Sequence, residues 1–304
     1  MPHGESSSRA ISSSRSNAMV KLDAAQVKTK EVLGWTGLHL FHYKDSTCSR
    51  KVRTVLALKR LEYTGHHIEL STRENISEYY LGINPRGLVP CLVHDGAVII
   101  ESNDIVDYIE AAFPEPRLVD AAAGAAGEAE DRLHLAMRAL TFSMKIPPGA
   151  AAWTDAQARK FATRGESVAG GGQDHKAQFD FWQQYTENGG VPEVLVDDGV
   201  VAARLAFEKL EKTLGEGGGD FMPPVSAAPT LTDVIWFPTV RRIKHCGYDL
   251  SRHPRLEAWE RACLRCPAFA AEAEPADLVM APALQAYLYL SGRDFEARAR
   301  RLLG

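Results

Sequence analysis

Three short stretches of the chain carry residue types suited to work on a bound thiol and an α-amino acid. Ser46-Thr47-Cys48-Ser49 offers three hydroxyls and a thiol. At a helix N-terminus they would sit where the macrodipole favours an anion, so a hydroxyl could donate to an anionic sulfur or a cysteine could itself ionise. Two mechanisms follow. Either the Ser46 or Thr47 hydroxyl stabilises the thiolate of a bound cosubstrate, or Cys48 is a reactive thiol that exchanges through a mixed disulfide. Cys48 also opens an apolar stripe and suits plain core packing. Lys51 stands where a second cysteine would complete a Cys-x-x-Cys dithiol, which excludes that redox chemistry.

Val89-Pro90 is the second stretch. X-Pro bonds alone adopt cis at low cost, and a cis Pro90 would leave the N–H and C=O of Val89 open to pair with an extended peptide. A plain turn proline is the alternative. Glu101-Ser102 is the third. If Ser102 caps the following helix, nearby amides would favour a carboxylate while Glu101 accepts from an ammonium, a socket for an α-amino acid head. Ordinary helix capping explains the same pair.

The elements that would position these residues are legible from periodicity. Residues 38–43 alternate as a strand, and Cys48, Val52, Val55 and Leu56 fall at helical spacing behind it. Residues 63–70 read as a second strand, 74–81 as a short helix, and Asn84-Pro85-Arg86-Gly87 as a break. Cys91 to His94 and Ala97 to Ile100 flank Asp95-Gly96, which predicts a hairpin. Ile105, Tyr108, Ile109 and Ala112 mark a third helix, giving the order βαβαββα. Beyond residue 117 the pattern is helical, over residues 126–145, 200–214, 232–246 and 256–266. Residues 146–190, rich in Pro, Gly and Ala with scattered aromatics, read as an insertion that lids a pocket or decorates the surface. The expected organisation is a disordered tail over 1–36, an α/β domain over 37–115 and a helical domain over 119–304. Residues 284–290 form an apolar, aromatic stretch ahead of a basic helical end.

Composition narrows the class. The 304 residues are 45% apolar and 24% charged, an ordinary globular balance. No apolar run approaches the roughly 20 residues of a membrane helix, and mean hydropathy is −0.21, so no membrane partner is expected. Thirty-five Lys and Arg against 39 Asp and Glu, without a basic block, argue against nucleic acid. Five cysteines in so long a chain suit a reducing compartment. The Ser-rich start, with Arg9 and Arg15, fits a disordered tail or an organelle transit peptide and lacks a secretory apolar stretch. Cys263-Leu264-Arg265-Cys266 has zinc-like spacing but no convincing second pair, so no metal is expected.

Taken together, residues 46–53, the Asn84-to-Pro90 run, Glu101-Ser102 and the Thr230-Leu231-Thr232-Asp233 capping box resemble the glutathione S-transferases, with a Ser-x-Cys helix start similar to the zeta-type and related bacterial members. The resemblance implies a thioredoxin-like N-terminal domain and an all-α C-terminal domain. It further implies that glutathione is the cosubstrate, bound along Leu88, Val89, Pro90, Glu101 and Ser102, with its sulfur near Ser46, Thr47 and Cys48. The thiolate would attack a small hydrophobic electrophile in a cytoplasmic homodimer. Ser46 aligns with the serine or cysteine of many members and Cys48 with the thiol of dehalogenating and isomerising relatives; both roles remain open, as does that of a non-catalytic binding protein. Leu88 replaces the Lys or Gln that many relatives place before Val-Pro, leaving Arg86, His66 or His67 to hold the glycyl carboxylate. The electrophile pocket is expected at His42, Tyr43 and the helical residues from His134 to Phe142.

Overall fold

β1 (Leu38–His42) leads through a short turn into α1 (Thr47–Leu58), followed by β2 (Thr64–His67), α2 (Glu78–Leu81), β3 (Cys91–His94), β4 (Ala97–Ile100) and α3 (Ser102–Ala112). The computed structural model describes residues 20–303 apart from 119, 147–148, 165–174, 216–218, 223–225, 274–285, 287–289 and 291–294. The strands form one mixed sheet in the order β2-β1-β3-β4, with β2 parallel to β1 and β3 antiparallel to both β1 and β4. Asp95 and Gly96 make the hairpin turn at φ 48° and 77°, as a two-residue loop between right-twisted strands requires. The expected helix over 74–81 divides at Ser77. A 3₁₀ turn, Glu74–Ile76, precedes it, and the Ser77 hydroxyl accepts from Tyr80 N to start α2.

The remainder is helical: α4 (Ala123–Met144), α5 (Asp155–Arg164), α6 (His175–Glu187), α7 (Glu193–Leu214), α8 (Leu231–His245), α9 (Pro254–Leu264), α10 (Pro267–Ala270) and α11 (Phe295–Leu303). A thioredoxin-like α/β unit is thus followed by an all-α unit, the fold class expected from the sequence. The apolar stretch at 284–290 lies almost wholly outside the described residues.

One face of the sheet, through Leu38, Leu40 and Ile99, packs on Val52 and Val55 of α1 and Ile105 and Ile109 of α3, and this core continues into α4, α7 and α8. The other face buries Phe41, Val93 and Val98 against Val20, Leu22, Val27 and Val32. The disordered tail expected over 1–36 therefore does not extend to residues 20–36. Leu22 N donates to Val98 O at 2.9 Å and Ile100 N to Val20 O at 3.1 Å, so this segment lies along β4 and covers an otherwise open strand edge. Four buried aliphatics supply the burial that the Ser-rich stretch before them cannot. Residues 1–19, and with them the transit-peptide reading, lie outside the described residues.

A buried polar tie joins the two units. The Lys51 ammonium of α1 donates to Asn103 Oδ1 of α3 and sits beside Glu130 Oε2 of α4, each at 2.7 Å, while Thr239 of α8 donates to Glu130 Oε1 at 2.7 Å. The Lys51 and Glu130 side chains are 0% and 1% exposed. Burial disfavours both charges, but their mutual attraction outweighs it, holding Lys51 above and Glu130 below their ordinary pKa values. In the helical unit, Asp233 at the start of α8 accepts from Thr230 N, Met222 N and Trp259 Nε1 within 2.8 Å. Burial nonetheless pushes its carboxyl up to about 6.

Removing one partner of the Lys51–Glu130 pair strands a buried charge. Lys51→Met is expected to lower unfolding stability by about 3–5 kcal/mol in urea titrations, and adding Glu130→Leu is expected to recover most of that loss.

Candidate functional site

The N-terminus of α1 opens into a cavity of about 710 Å³ between the α/β unit and the helices, a size that suits a drug-sized ligand. Ser46 is the cap of α1. Its hydroxyl accepts from Ser49 N at 3.2 Å while Ser49 Oγ accepts from Tyr43 N at 3.3 Å, which fixes the turn between β1 and the helix. Ser46, Thr47 and Cys48 all line the cavity. Cys48 Sγ lies 3.8 Å from His134 Nδ1 of α4. Burial pushes the Cys48 thiol up to about 11, against the pull of Lys51 and a hydrogen bond with Ser102. Burial and the nearby Arg138 lower His134 to about 4, so the imidazole is neutral near pH 7.

Leu88, Val89, Pro90, Glu101 and Ser102 line the same cavity. The Val89-Pro90 bond is cis, and among the described residues the backbone N–H and C=O of Val89 make no hydrogen bond. Asn84 Nδ2 holds Leu88 O at 2.7 Å and Asn75 Nδ2 holds Gly87 O at 2.8 Å, so the loop before Val89 is anchored from behind.

Ser102 is not the cap expected of it. It is the first residue of α3, and Glu101 occupies the cap position at φ 68° without a side-chain cap. With β4 ending at Ile100, one residue must turn the chain into the helix, which it does in the left-handed region. The Glu101 carboxylate pairs with Arg86, a side chain 1% exposed. Burial raises the Glu101 pKa, opposed by that guanidinium.

Of the expected electrophile residues, Tyr43 and Phe142 line the cavity and His42 does not. The two-residue period of β1 puts His42 on the same face as Leu38 and Leu40, beneath α1. There its Nδ1 lies 3.2 Å from Arg53 Nη1, well along the helix from its N-terminus. Neither His66 nor His67 lines the cavity; His66 stacks on Trp35 and Phe41 with centroids 4.9 and 4.6 Å apart.

Arg73 carries no mark of the site in the sequence, and Trp153 and Trp182 stand out there only as scattered aromatics of the 146–190 insertion. Arg73 sits at φ 65° ahead of the 3₁₀ turn, donates to Ala151 O, and places its guanidinium 4.9 Å from the centroid of Trp182. Trp153 and Phe161 pack on Ile76 and Leu81, with Phe179 and Trp182 against them. A Cβ on Gly87, which stands at φ 62°, would come within 3.1 Å of the Phe161 ring. From the expected insertion, Phe161 thus reaches the loop that precedes Val89, and Ala151, Trp153, Phe161 and Trp182 form part of the cavity wall. The insertion's aromatics fall at no single helical period, so only the fold reveals a common face. Among the described residues, no cluster of His, Cys, Asp and Glu could hold a metal ion, and no helix is long and apolar enough to cross a membrane.

Family models described as glutathione S-transferase N-terminal domain and C-terminal domain match residues 40–117 and 193–262, in that order. Glutathione S-transferase 1 of Dianthus caryophyllus is 37% identical over 82 residues, which cover 27% of this chain and 37% of that protein. Maleylacetoacetate isomerase of Pseudomonas aeruginosa is 39% identical over 85 residues, or 27% of this chain and 40% of that one. The chain thus spans about two fifths of the length of these curated relatives. Among solved structures, the beta-etherase LigF from Sphingobium sp. superposes with a TM-score of 0.62 at 22% identity, covering 78% of this chain and 98% of that chain. A glutathione transferase homologue from Sulfitobacter, solved with bound glutathione, gives 0.51 at 19% identity over 78% and 97% of the two chains. With both domain models in tandem on this fold, the chain belongs to the glutathione S-transferase superfamily.

Only the thiolate alkylates readily, and a thiol held near 11 is almost wholly protonated at neutral pH. Carboxymethylation of Cys48, followed by peptide mapping, is expected to accelerate about tenfold per pH unit from pH 7 to 10. A plateau before pH 9 would show an activated cysteine instead.

Proposed function

We propose that the chain is a glutathione transferase. Glutathione lies extended along Val89, its γ-glutamyl head is held at Glu101 and Ser102, and its sulfur rests beside Ser46. What carries this reading is the convergence on one cavity of the α1 N-terminus, the unpaired backbone of Val89 and the Glu101-Ser102 turn. The glutathione bound to the Sulfitobacter homologue supports it.

The residues divide the work by chemistry. Val89 offers a donor and an acceptor to a peptide backbone, as an added strand would use. Glu101, already polarised by Arg86, accepts from the ammonium, and the first amides of α3 take the α-carboxylate. The thiol proton leaves to solvent. At a free pKa near 8.5 only a few per cent of a thiol is ionised at neutral pH, so the α1 dipole and the Ser46 hydroxyl gain thiolate by lowering that value. The thiolate then attacks an electrophilic carbon in the part of the cavity lined by Tyr43 and Phe142. The same reading expects a homodimer.

A second reading has Cys48 take part in a glutathione-dependent lyase, reductase or dehalogenase. The contact between its sulfur and His134 favours it, since a neutral imidazole could accept the thiol proton. The elevated Cys48 pKa argues the other way.

Three variants separate the readings. Ser102→Ala is expected to weaken glutathione binding by about 1–3 kcal/mol in calorimetry, because a buried carboxylate loses a partner. Ser46→Ala is expected to lower kcat for conjugation while Cys48→Ala leaves it near wild type. Loss of turnover in Cys48→Ala with Ser46→Ala intact would transfer the chemistry to the cysteine.

A further inference from the structure

Residues 20–32 precede the stretch that the N-terminal domain model matches, which begins at residue 40. They form a strap across the sheet face opposite α1 and α3, where Val20, Leu22, Val27 and Val32 are buried with Phe41, Val93 and Val98. Tyr80 of α2 and Ile83 join the same apolar cluster. At one end the strap meets the start of α3. Lys21 bridges Ile99 in antiparallel pairing, Ile100 N donates to Val20 O at 3.1 Å, and Val20 N donates to Asp104 Oδ2 at 2.9 Å. Asp104 stands in the first turn of α3, so the bond to Val20 holds the turn that opens with Ser102.

At the other end the strap meets the end of α2. Lys28 N and Thr29 N donate to Gly82 O at 2.7 and 2.9 Å, and Thr29 Oγ1 donates to Tyr79 O at 2.8 Å. The approach is so close that a Cβ on Gly82 would come 2.2 Å from Thr29 Oγ1. Tyr80 and Asn84, on either side of Gly82, both donate from their side chains to Leu88 O, the carbonyl that leads into Val89. The β3–β4 ladder stops at the Cys91–Ile100 pair, so Val89 and Ser102 both lie beyond its end. The strap is tied to the elements that carry each of them.

Resting on the glutathione reading above, we propose that the strap is a clamp that sets the separation of Val89 from the first turn of α3, with Gly82 and Asp104 as its positioning residues. Neither residue lines the cavity, so each acts through the backbone it holds. A peptide whose backbone pairs with Val89 and whose head sits at Ser102 must meet both flanks at once. It binds only while their spacing is right. If loosening the clamp leaves the groove competent about a tenth of the time, the apparent Kd rises about tenfold with no contact to glutathione removed. Support of this kind, from residues behind the ones that touch the ligand, is what keeps a binding geometry in place before the ligand arrives.

Calorimetry with glutathione on four full-length variants tests the clamp. Gly82 has φ −71°, so Gly82→Ala adds no backbone strain and drives a methyl group against Thr29. Gly82→Ala and Asp104→Ala are each expected to raise the glutathione Kd about tenfold. Asp104→Asn, which keeps an oxygen acceptor for Val20 N, is expected to stay within about threefold of the wild type. Leu256→Ala, a truncation buried in α9 away from the strap, is expected to lower the thermal unfolding midpoint and leave Kd unchanged, which separates positioning from a general loss of stability. Should Asp104→Ala fail to fold, Gly82→Ala decides alone. A folded Gly82→Ala protein that binds glutathione as the wild type does, or an equal loss of affinity in Leu256→Ala, would overturn the clamp and leave the transferase reading standing. No glutathione binding to the wild type would overturn that reading and the clamp with it.

Discussion

The ammonium of Lys51 is buried completely, and the architecture around it is arranged to keep it charged. Its two partners come from different helices, Asn103 from α3 and Glu130 from α4, and Thr239 of α8 supports Glu130 in turn. Such a pair is weak evidence for net stability, since hydrophobic replacements often do as well. Its directionality matters more here. An apolar core tolerates sliding by a fraction of a turn, whereas three hydrogen bonds of 2.7 Å do not. Lys51 stands one turn inside the N-terminus of α1, so the tie fixes Ser46, Thr47 and Cys48 against the face of α4 that begins at Asp131. The cavity exists because those two surfaces are held apart at that register.

Two neighbouring groups at the helix start have different fates. Cys48 points into the junction between the units, where burial raises its pKa to about 11 and its sulfur lies 3.8 Å from His134 Nδ1. Ser46, one position outside the helix, is spent as a cap through its acceptor lone pair, and its O–H remains available as a donor. Acceptance from Ser49 N and donation to an anionic sulfur are compatible roles for one hydroxyl. That asymmetry favours the serine for stabilising a bound thiolate, with the cysteine lying against it as a neutral neighbour.

Most of the α/β unit was legible because strand alternation and the Asp95-Gly96 turn are local signals, and the capping chemistry of Ser46 is written in four consecutive residues. What escaped the sequence depends on distant partners. Residues 20–36 look like part of a polar tail until the open edge of β4 gives Val20 and Leu22 something to cover. His42 belongs with the pocket by sequence proximity to Tyr43, and the alternation of β1 sends it to Arg53 instead. Ser102 reads as a cap because serine favours that position, but a one-residue link from β4 hands the cap to Glu101. Arg73, Trp153 and Trp182 carry no local mark of a shared site, since they are brought together only when α5 and α6 pack on Ile76 and Leu81.

A transferase of this design must ionise the thiol its cavity binds. Ultraviolet difference spectroscopy of the complex, following thiolate absorbance against pH with Cys48→Ala protein to remove the background cysteine, measures it directly. A midpoint at least about one unit below the 8.5 of a free thiol, restored toward that value by adding Ser46→Ala, is the expected result. A midpoint at or above 8.5 in the presence of Ser46 would contradict it.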